Sequence, residues 1–316
     1  STRRKSISYA KWGYLFILPF FVVYAIFSFI PLFNTFYNSF FENYKDGLTQ
    51  IGPTFIGFDN YKTIFAAGSD MMKFLSNTFI IWIAGFIPQI FVSLLLASWF
   101  TDLRLNLKAT GFFKVVIYLP NLIMAAAMSM LFFALFSTVG PINNFLVSTG
   151  ILSEPFNFFT NVTSTRTIIA FINFIMWYGN TTIMLMAAIM GIDSSLFEAA
   201  QIDGANPTQT FWQITMPLIR PLLVYVIITS LIGGLQMYDI PSIITNGKGN
   251  PNRTSMTLIM YLQNHLYSKN YGMAGAVSVL LFIVAAILSL LVFYLGRDKD
   301  AIKNKKRKKA KGASLL

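Results

Sequence analysis

The chain has 316 residues, 55% of them hydrophobic and 11% charged, with a formal net charge of +12. Soluble domains carry roughly 25% charged residues, so this chain cannot cover a water-facing surface, and its mean hydropathy of +0.60 points to an all-α polytopic membrane protein. It holds no cysteine and one histidine, His265, which excludes disulfides, thiolate nucleophiles and Cys/His metal sites.

A hydrocarbon core of roughly 30 Å needs about 20 apolar residues at 1.5 Å rise. Residues 1–12 form a cytoplasmic segment with four basic residues, Arg3, Arg4, Lys5 and Lys11. The apolar block after it, 13–33, is too long for the h-region of a signal peptide and closes on no Ala-x-Ala site. It is expected to stay as the first span. Further blocks at 74–100, 115–137, 167–190, 218–238 and 274–295 predict a six-helix transmembrane domain over 13–296.

With both termini in the cytoplasm, 17 of the 24 Lys and Arg residues fall inside, while the acidic residues split six and six. That is the positive-inside pattern. The polybasic tail 297–316 follows a span directly and has no interleaved aromatic residues. It reads as a cytoplasmic anchor on anionic lipid rather than a nucleic-acid binder.

The inside connection 191–217 reads GIDSSLFEAAQIDGANPTQTFWQITMP, with the local chemistry of two short helices. Ser195 and Glu198 stand at capping-box spacing, and Gly204 stands where a left-handed residue ends a helix. Asn206 and Pro207 serve as cap and first-turn proline of a second helix, which carries Phe211, Trp212 and Ile214 and is expected to end at Pro217. Such an elbow, with exposed small and aromatic faces, calls for a partner.

Polar groups facing lipid are expensive. Asn173, Trp177 and Asn180 lie near one face of span four, at offsets of four and three, and Gln236, Tyr238 and Asp239 close span five. They are expected to line a solute path, or, for the amides, to bond helix to helix, and Asp239, which closes its span, is equally placed at the water interface. Gln89 and Asn121 are open to the same two readings. His265 reads as a packing or surface group on a short amphipathic outer segment. Gly247-Lys248 is followed by Gly249 rather than Ser or Thr, so it is no P-loop. With no nucleophile–base set in the spans, the chain is expected not to be an enzyme.

Glu198-Ala199-Ala200, Gly204 six positions after the Glu, Ile214 and Pro217 resemble the EAA signature of permease subunits of binding-protein-dependent ABC importers. Met216 stands where that pattern has Leu. Leu18-Pro19, Pro31-Leu32, the FIGFDNY run at 55–61, Asn77-Thr78, Leu119-Pro120 and the stretch from Gly140 to Asn143 extend the resemblance over most of 12–295. They are similar to the carbohydrate-uptake branch, which includes maltose, glycerol-phosphate and oligosaccharide permeases. The stretch 245–251, TNGKGNP, departs from that branch's Thr-x-Gly-Gly-Pro. Residues 34–73 lack the large insertion of some maltose permeases.

The resemblance implies a type I ABC importer permease fold in a prokaryotic cell membrane and ATP-driven import of a sugar, expected to be an oligosaccharide. It implies a second homologous permease subunit, an ATPase dimer beneath, and an extracytoplasmic solute-binding protein. It also implies that the 191–217 loop is the ATPase-coupling helix, with Glu198, Ala199, Ala200, Asp203, Gly204, Ile214 and Pro217 as its positions. No cofactor is expected on this chain, since ATP and Mg are used by the ATPase subunit, and no nucleic acid is expected as partner. A permease for peptide, amino acid or phosphate shares the same loop and is the alternative. A secondary transporter is the further one, although no duplicated half or intramembrane acid–base pair is present.

Overall fold

The computed structural model describes residues 10–102, 104–105 and 107–296. Residues 1–9 and the polybasic tail 297–316 lie outside them. From the N-terminus, α1 (Ala10–Tyr24) passes through a π-helical turn, Ala25–Phe29, into α2 (Ile30–Asn38). The strands β1 (Phe41–Asp46) and β2 (Thr49–Phe55) pair antiparallel, and α3 (Asp59–Phe65) follows. Then come α4 (Met71–Thr101), α5 (Thr110–Leu122), α6 (Ala125–Leu135), α7 (Pro141–Ser148) and α8 (Val162–Met190). After α9 (Ser194–Ile202), α10 (Pro207–Thr210) leads through a second π turn, Phe211–Thr215, into α11 (Met216–Leu235). The chain closes with α12 (Asp239–Ile244), α13 (Leu258–Tyr267) and α14 (Tyr271–Gly296).

Among the described residues, five helical stretches are long and apolar enough to cross a membrane, or six if the bent pair α5–α6 counts as one span. That pair covers the block expected as the third span, and its limbs meet at 90°. Pro120 lacks the N–H that would continue the ladder, and Ile123 and Met124 turn extended, with ψ of 136° and 137°. The helix then restarts at Ala125 in a new direction.

A correction concerns Pro217, which does not end a helix. Both π turns lie just ahead of a proline, Pro31 and Pro217. A proline ring clashes with the carbonyl four residues back, here Phe27 and Gln213, and the wider π turn makes room for it. The helix therefore runs on through Pro217 into α11.

The hairpin is an addition to the all-helical expectation. Asp46 pairs with Thr49 across a two-residue link whose first residue, Gly47, has φ +59°. A glycine at that position suits the tight hairpin turns that follow the strand twist.

The described residues divide into two compact units, 10–69 with 262–282, and 70–261 with 283–296. In the first, Asn60 donates to the carbonyls of Ser39 at 2.9 Å and Phe41 at 3.0 Å, and the Tyr61 hydroxyl donates to Ser39 Oγ at 2.8 Å. The FIGFDNY run thus closes the base of the hairpin.

In the second unit α4 packs along α8. Small residues allow the approach, as in other membrane helix pairs: a Cβ on Gly85 would lie 2.9 Å from the Ala170 carbonyl oxygen. Gln89 Nε2 donates to Thr181 Oγ1 at 2.8 Å, and Ser93 Oγ to the Tyr178 carbonyl at 2.8 Å. Asn121 Nδ2 donates to the Met176 carbonyl at 3.1 Å, fastening the break in the bent pair to α8.

Asn143, fully buried, joins two loops of this unit. Its amide donates to the carbonyls of Ser137 at 2.8 Å and Phe156 at 3.0 Å and accepts from Phe156 N at 2.8 Å. Asn143→Ala strands these groups, and a loss of about 2–3 kcal/mol is expected. Thermal unfolding of the detergent-solubilised protein reads the change. The exposed neighbour variant Asn144→Ala should melt close to the parent.

Candidate functional site

Two features stand out, a cleft between spans and the elbow between α8 and α11. The cleft has a volume of about 340 Å³ and is lined from α4, α8 and α11. α8 supplies Asn173, Trp177, Asn180 and Thr181, and α4 supplies Trp82 and Gln89. α11 adds Tyr225, Thr229 and Ser230. None of the lining residues is Asp, Glu, Lys, Arg or His.

Polar capacity in the cleft is unevenly committed. Gln89 bonds Thr181, and Trp82 Nε1 donates to Ser230 Oγ at 3.1 Å, so these pairs fix the wall. Asn173 and Asn180 donate to the thioether sulfurs of Met237, at 3.0 Å, and Met184, at 3.8 Å. Sulfur is a weak acceptor, so both amides can exchange it for a solute hydroxyl at little cost. Trp177 is 47% exposed and offers an indole face beside them.

The elbow begins with a correction to its cap. Asp193, not Ser195, caps α9, its carboxylate accepting from Ser195 N at 3.0 Å. The Ser195 backbone N–H, and then its hydroxyl, hold the Asp193 carboxyl below its usual range. A depressed carboxylate stabilises the cap above its ordinary pKa and releases it as pH falls. At the other end Gly204 N donates to Gln201 O at 3.2 Å and Ala205 N to Ala200 O at 2.9 Å. With Gly204 at φ +77°, these bonds form a complete Schellman motif. Asn206 and Gln209 then make a reciprocal capping box, at 2.8 and 2.9 Å, so α10 starts three residues after Gly204.

The elbow encloses a pocket of about 360 Å³ against the end of α4, lined by Phe197, Glu198 and Gln201 on one side and Ser98 and Thr101 on the other. Ala200, Thr210 and Thr215 are buried, so the elbow packs partly on its own chain. Ile202 at 86% and Trp212 at 61% exposure leave an apolar face uncovered. Among the other sequence-predicted positions, Glu198, Ala199, Asp203, Gly204 and Pro217 are exposed and Ile214 is half-buried.

Residues 89–299 match the family described as binding-protein-dependent transport system inner membrane component. The chain belongs to that family. It is 33% identical over 227 residues, 71% of this chain and 76% of the relative, to the lactose transport system permease protein of Rhizobium radiobacter. It is 28% identical to the multiple sugar-binding transport system permease protein of Streptococcus mutans, covering 90% of this chain and 95% of that one. The trehalose/maltose transport system permease protein of Thermococcus litoralis gives 28% over 90% of this chain and 93% of that one. A chain from a bacterial ABC transporter involved in import of the acidic polysaccharide alginate shares the fold, with TM-score 0.74 at 22% identity over 90% of this chain and 94% of that chain.

The permease is thus a multi-pass membrane protein of the carbohydrate-uptake branch with the type I importer fold. Its spans bring Asn173, Trp177 and Asn180 into one cleft, while Gln236, Tyr238 and Asp239 lie beyond the end of α11 and do not line it. The cleft residues that sequence reading missed, Trp82, Tyr225, Thr229 and Ser230, carried a faint signal. Trp82 sits seven residues before Gln89, and Thr229 four after Tyr225, spacings that share a helix face.

Proposed function

We propose that this chain is one half of the translocation path of an ATP-driven carbohydrate importer, with the α4–α8–α11 cleft as its share of the solute site. The observation carrying this reading is the cleft lining: indole and phenol rings, two weakly committed amides, hydroxyls, and no formal charge. Apolar ring faces with a few placed hydrogen-bonding groups suit a polyhydroxylated neutral solute. An acidic saccharide or an amino acid would need a cationic partner that this lining lacks.

The partners follow from the same reading: a second homologous permease subunit, an ATPase dimer, and an extracytoplasmic binding protein that delivers the sugar. ATP and Mg act on the ATPase. The α9–α10 elbow, with Glu198, Ala199, Ala200, Asp203 and Gly204 and then Ile214 and Pro217, is the docking element for it. The exposed Ile202 and Trp212 support this, since the 38-residue stretch Pro207–Ile244 exceeds the roughly 20 residues a hydrocarbon core needs. On this reading both termini and the elbow face the cytoplasm.

The test is uptake by the complete complex in proteoliposomes, with lactose, maltose, an arabinooligosaccharide, an alginate oligosaccharide and a dipeptide as probes. A neutral sugar should enter in an ATP-dependent manner, and Trp177→Ala should lower its kcat/KM roughly tenfold or more. Dipeptide import, or uptake driven by an ion gradient without ATP, would overturn the proposal.

A further inference from the structure

A third cavity, of about 300 Å³, lies largely on the stretches that sequence reading places outside. Ser137 and Thr138 form one wall, Asn157 and Thr160 a second, and Asn246 and Asn250 a third. The aromatic rings of Phe133 and Phe159 also line it, stacked at 4.9 Å with an interplanar angle of 18°. Its lining holds no Asp, Glu, Lys, Arg or His. Among the described residues, the side chains of Thr138, Asn246 and Asn250 bond no other protein group, so their donors and acceptors are available to a ligand.

The walls are built rather than loose. Asn143 ties the Ser137 wall to Phe156, next to Asn157. The third wall is wound tightly, with Thr245 Oγ1 donating to the Pro241 carbonyl at 2.6 Å and accepting from Gly249 N at 2.9 Å. Gly249 itself stands where a Cβ would meet Met256 at 2.5 Å. The stretch beyond is anchored on α4, where Asn77 Nδ2 donates to the carbonyls of Arg253 and Met256, each at 3.0 Å.

An apolar septum separates this cavity from the central cleft. Met237 lines the cleft, Ile244 lines the outer cavity, and both belong to one buried cluster with Ile240, Phe132, Ile168 and Ile172. A solute in the outer cavity is therefore a distinct occupant. Hydrophobic constrictions of this kind close a path by excluding water.

We infer that the outer cavity is a second saccharide subsite, taking an uncharged hydroxylated ring before it passes the septum. The inference rests on the carbohydrate reading of the central cleft and adds a place where sugar is held outside it. Amide and hydroxyl groups around an aromatic floor would orient the ring, and the absence of charge would discriminate against anionic sugars.

The test uses the complete complex in proteoliposomes, with lactose, maltose and an arabinooligosaccharide as probes. Thr138→Val and Asn250→Ala each remove free polar groups and break no bond within the chain. Each should raise the half-saturating sugar concentration about fivefold, with the effect on KM rather than kcat. A Phe159→Trp variant adds a direct reporter, and its fluorescence should respond saturably to the transported sugar without binding protein. Unchanged KM in both polar variants, together with no fluorescence response from Phe159→Trp, would overturn the subsite, while a defective Trp177→Ala in the same preparation would leave the central path standing. If no sugar is imported and Trp177→Ala matches the parent, the carbohydrate reading falls and the subsite with it.

Discussion

Gly204→Val should cut ATP-driven uptake by roughly tenfold or more while the chain still inserts in the membrane at near-parental levels. A Cβ at Gly204 meets nothing within 4 Å, so no clash is at issue. The constraint is the backbone, at φ +77°, where an L-residue costs about 1–2 kcal/mol and a β-branched one more. Valine would unwind the Schellman bonds from Gly204 and Ala205 to Gln201 and Ala200, changing the angle between α9 and α10 while leaving the spans untouched. A loss of that size in a coupling geometry corresponds to about a tenfold change in rate or more. Gly204→Asn is the discriminating companion, because asparagine tolerates the left-handed conformation. It should retain most uptake and most ATPase binding in a pull-down. Equal activity of the valine and asparagine variants would show that the elbow angle is irrelevant to coupling.

The elbow was also the part of the molecule most legible from sequence, because its signals are local. Gly204 and the Asn206-Pro207 pair each answer a requirement of their own backbone, and the structure meets those requirements. The α9 cap moved from Ser195 to Asp193 because both residue types can cap, and only the path of the chain leaving α8 selects between them. Spans two, four and six were read to within a few residues, since a long apolar block has one outcome in a membrane.

What failed was non-local or depended on proline. The 90° bend after Leu122 follows from Pro120 together with the Asn121 bond to Met176, a contact between residues far apart in sequence. Pro217 reads as a helix stop, and only the preceding π turn, which has no residue signature, lets the helix pass through it. The grouping of Asn173, Trp177 and Asn180 was visible from helical spacing, but the walls facing them were not, because cleft membership depends on how three helices rotate against each other. Gln236, Tyr238 and Asp239 illustrate the same limit: α11 ends at Leu235, and in the turn beyond it Met237, rather than those three, lines the cleft.

The tightest of those helix approaches yields the largest stability effect. Gly179 lies on α8 where α5 crosses it, and a Cβ there would stand 1.9 Å from the Ile117 carbonyl oxygen, 2.6 Å from its carbon and 3.1 Å from Tyr118 Cα. All three atoms are backbone, so no side-chain rotation can relieve the overlap. α5 cannot simply withdraw either, because Asn121 bonds the Met176 carbonyl one turn away. Overfilling a well-packed core costs about 1–3 kcal/mol, and a backbone-on-backbone overlap should reach or exceed the top of that range. Gly179→Val is therefore expected to lose most of its monodisperse protein after detergent extraction and to melt well below the parent. Gly111→Ala, on α5 with nothing within 4 Å of its Cβ, should melt near the parent or slightly above it, as a glycine replaced in a helix does. Matching melting curves for the two variants would mean that α5 and α8 do not meet at Gly179, and the wall of the cleft beside Trp177 would have to be redrawn.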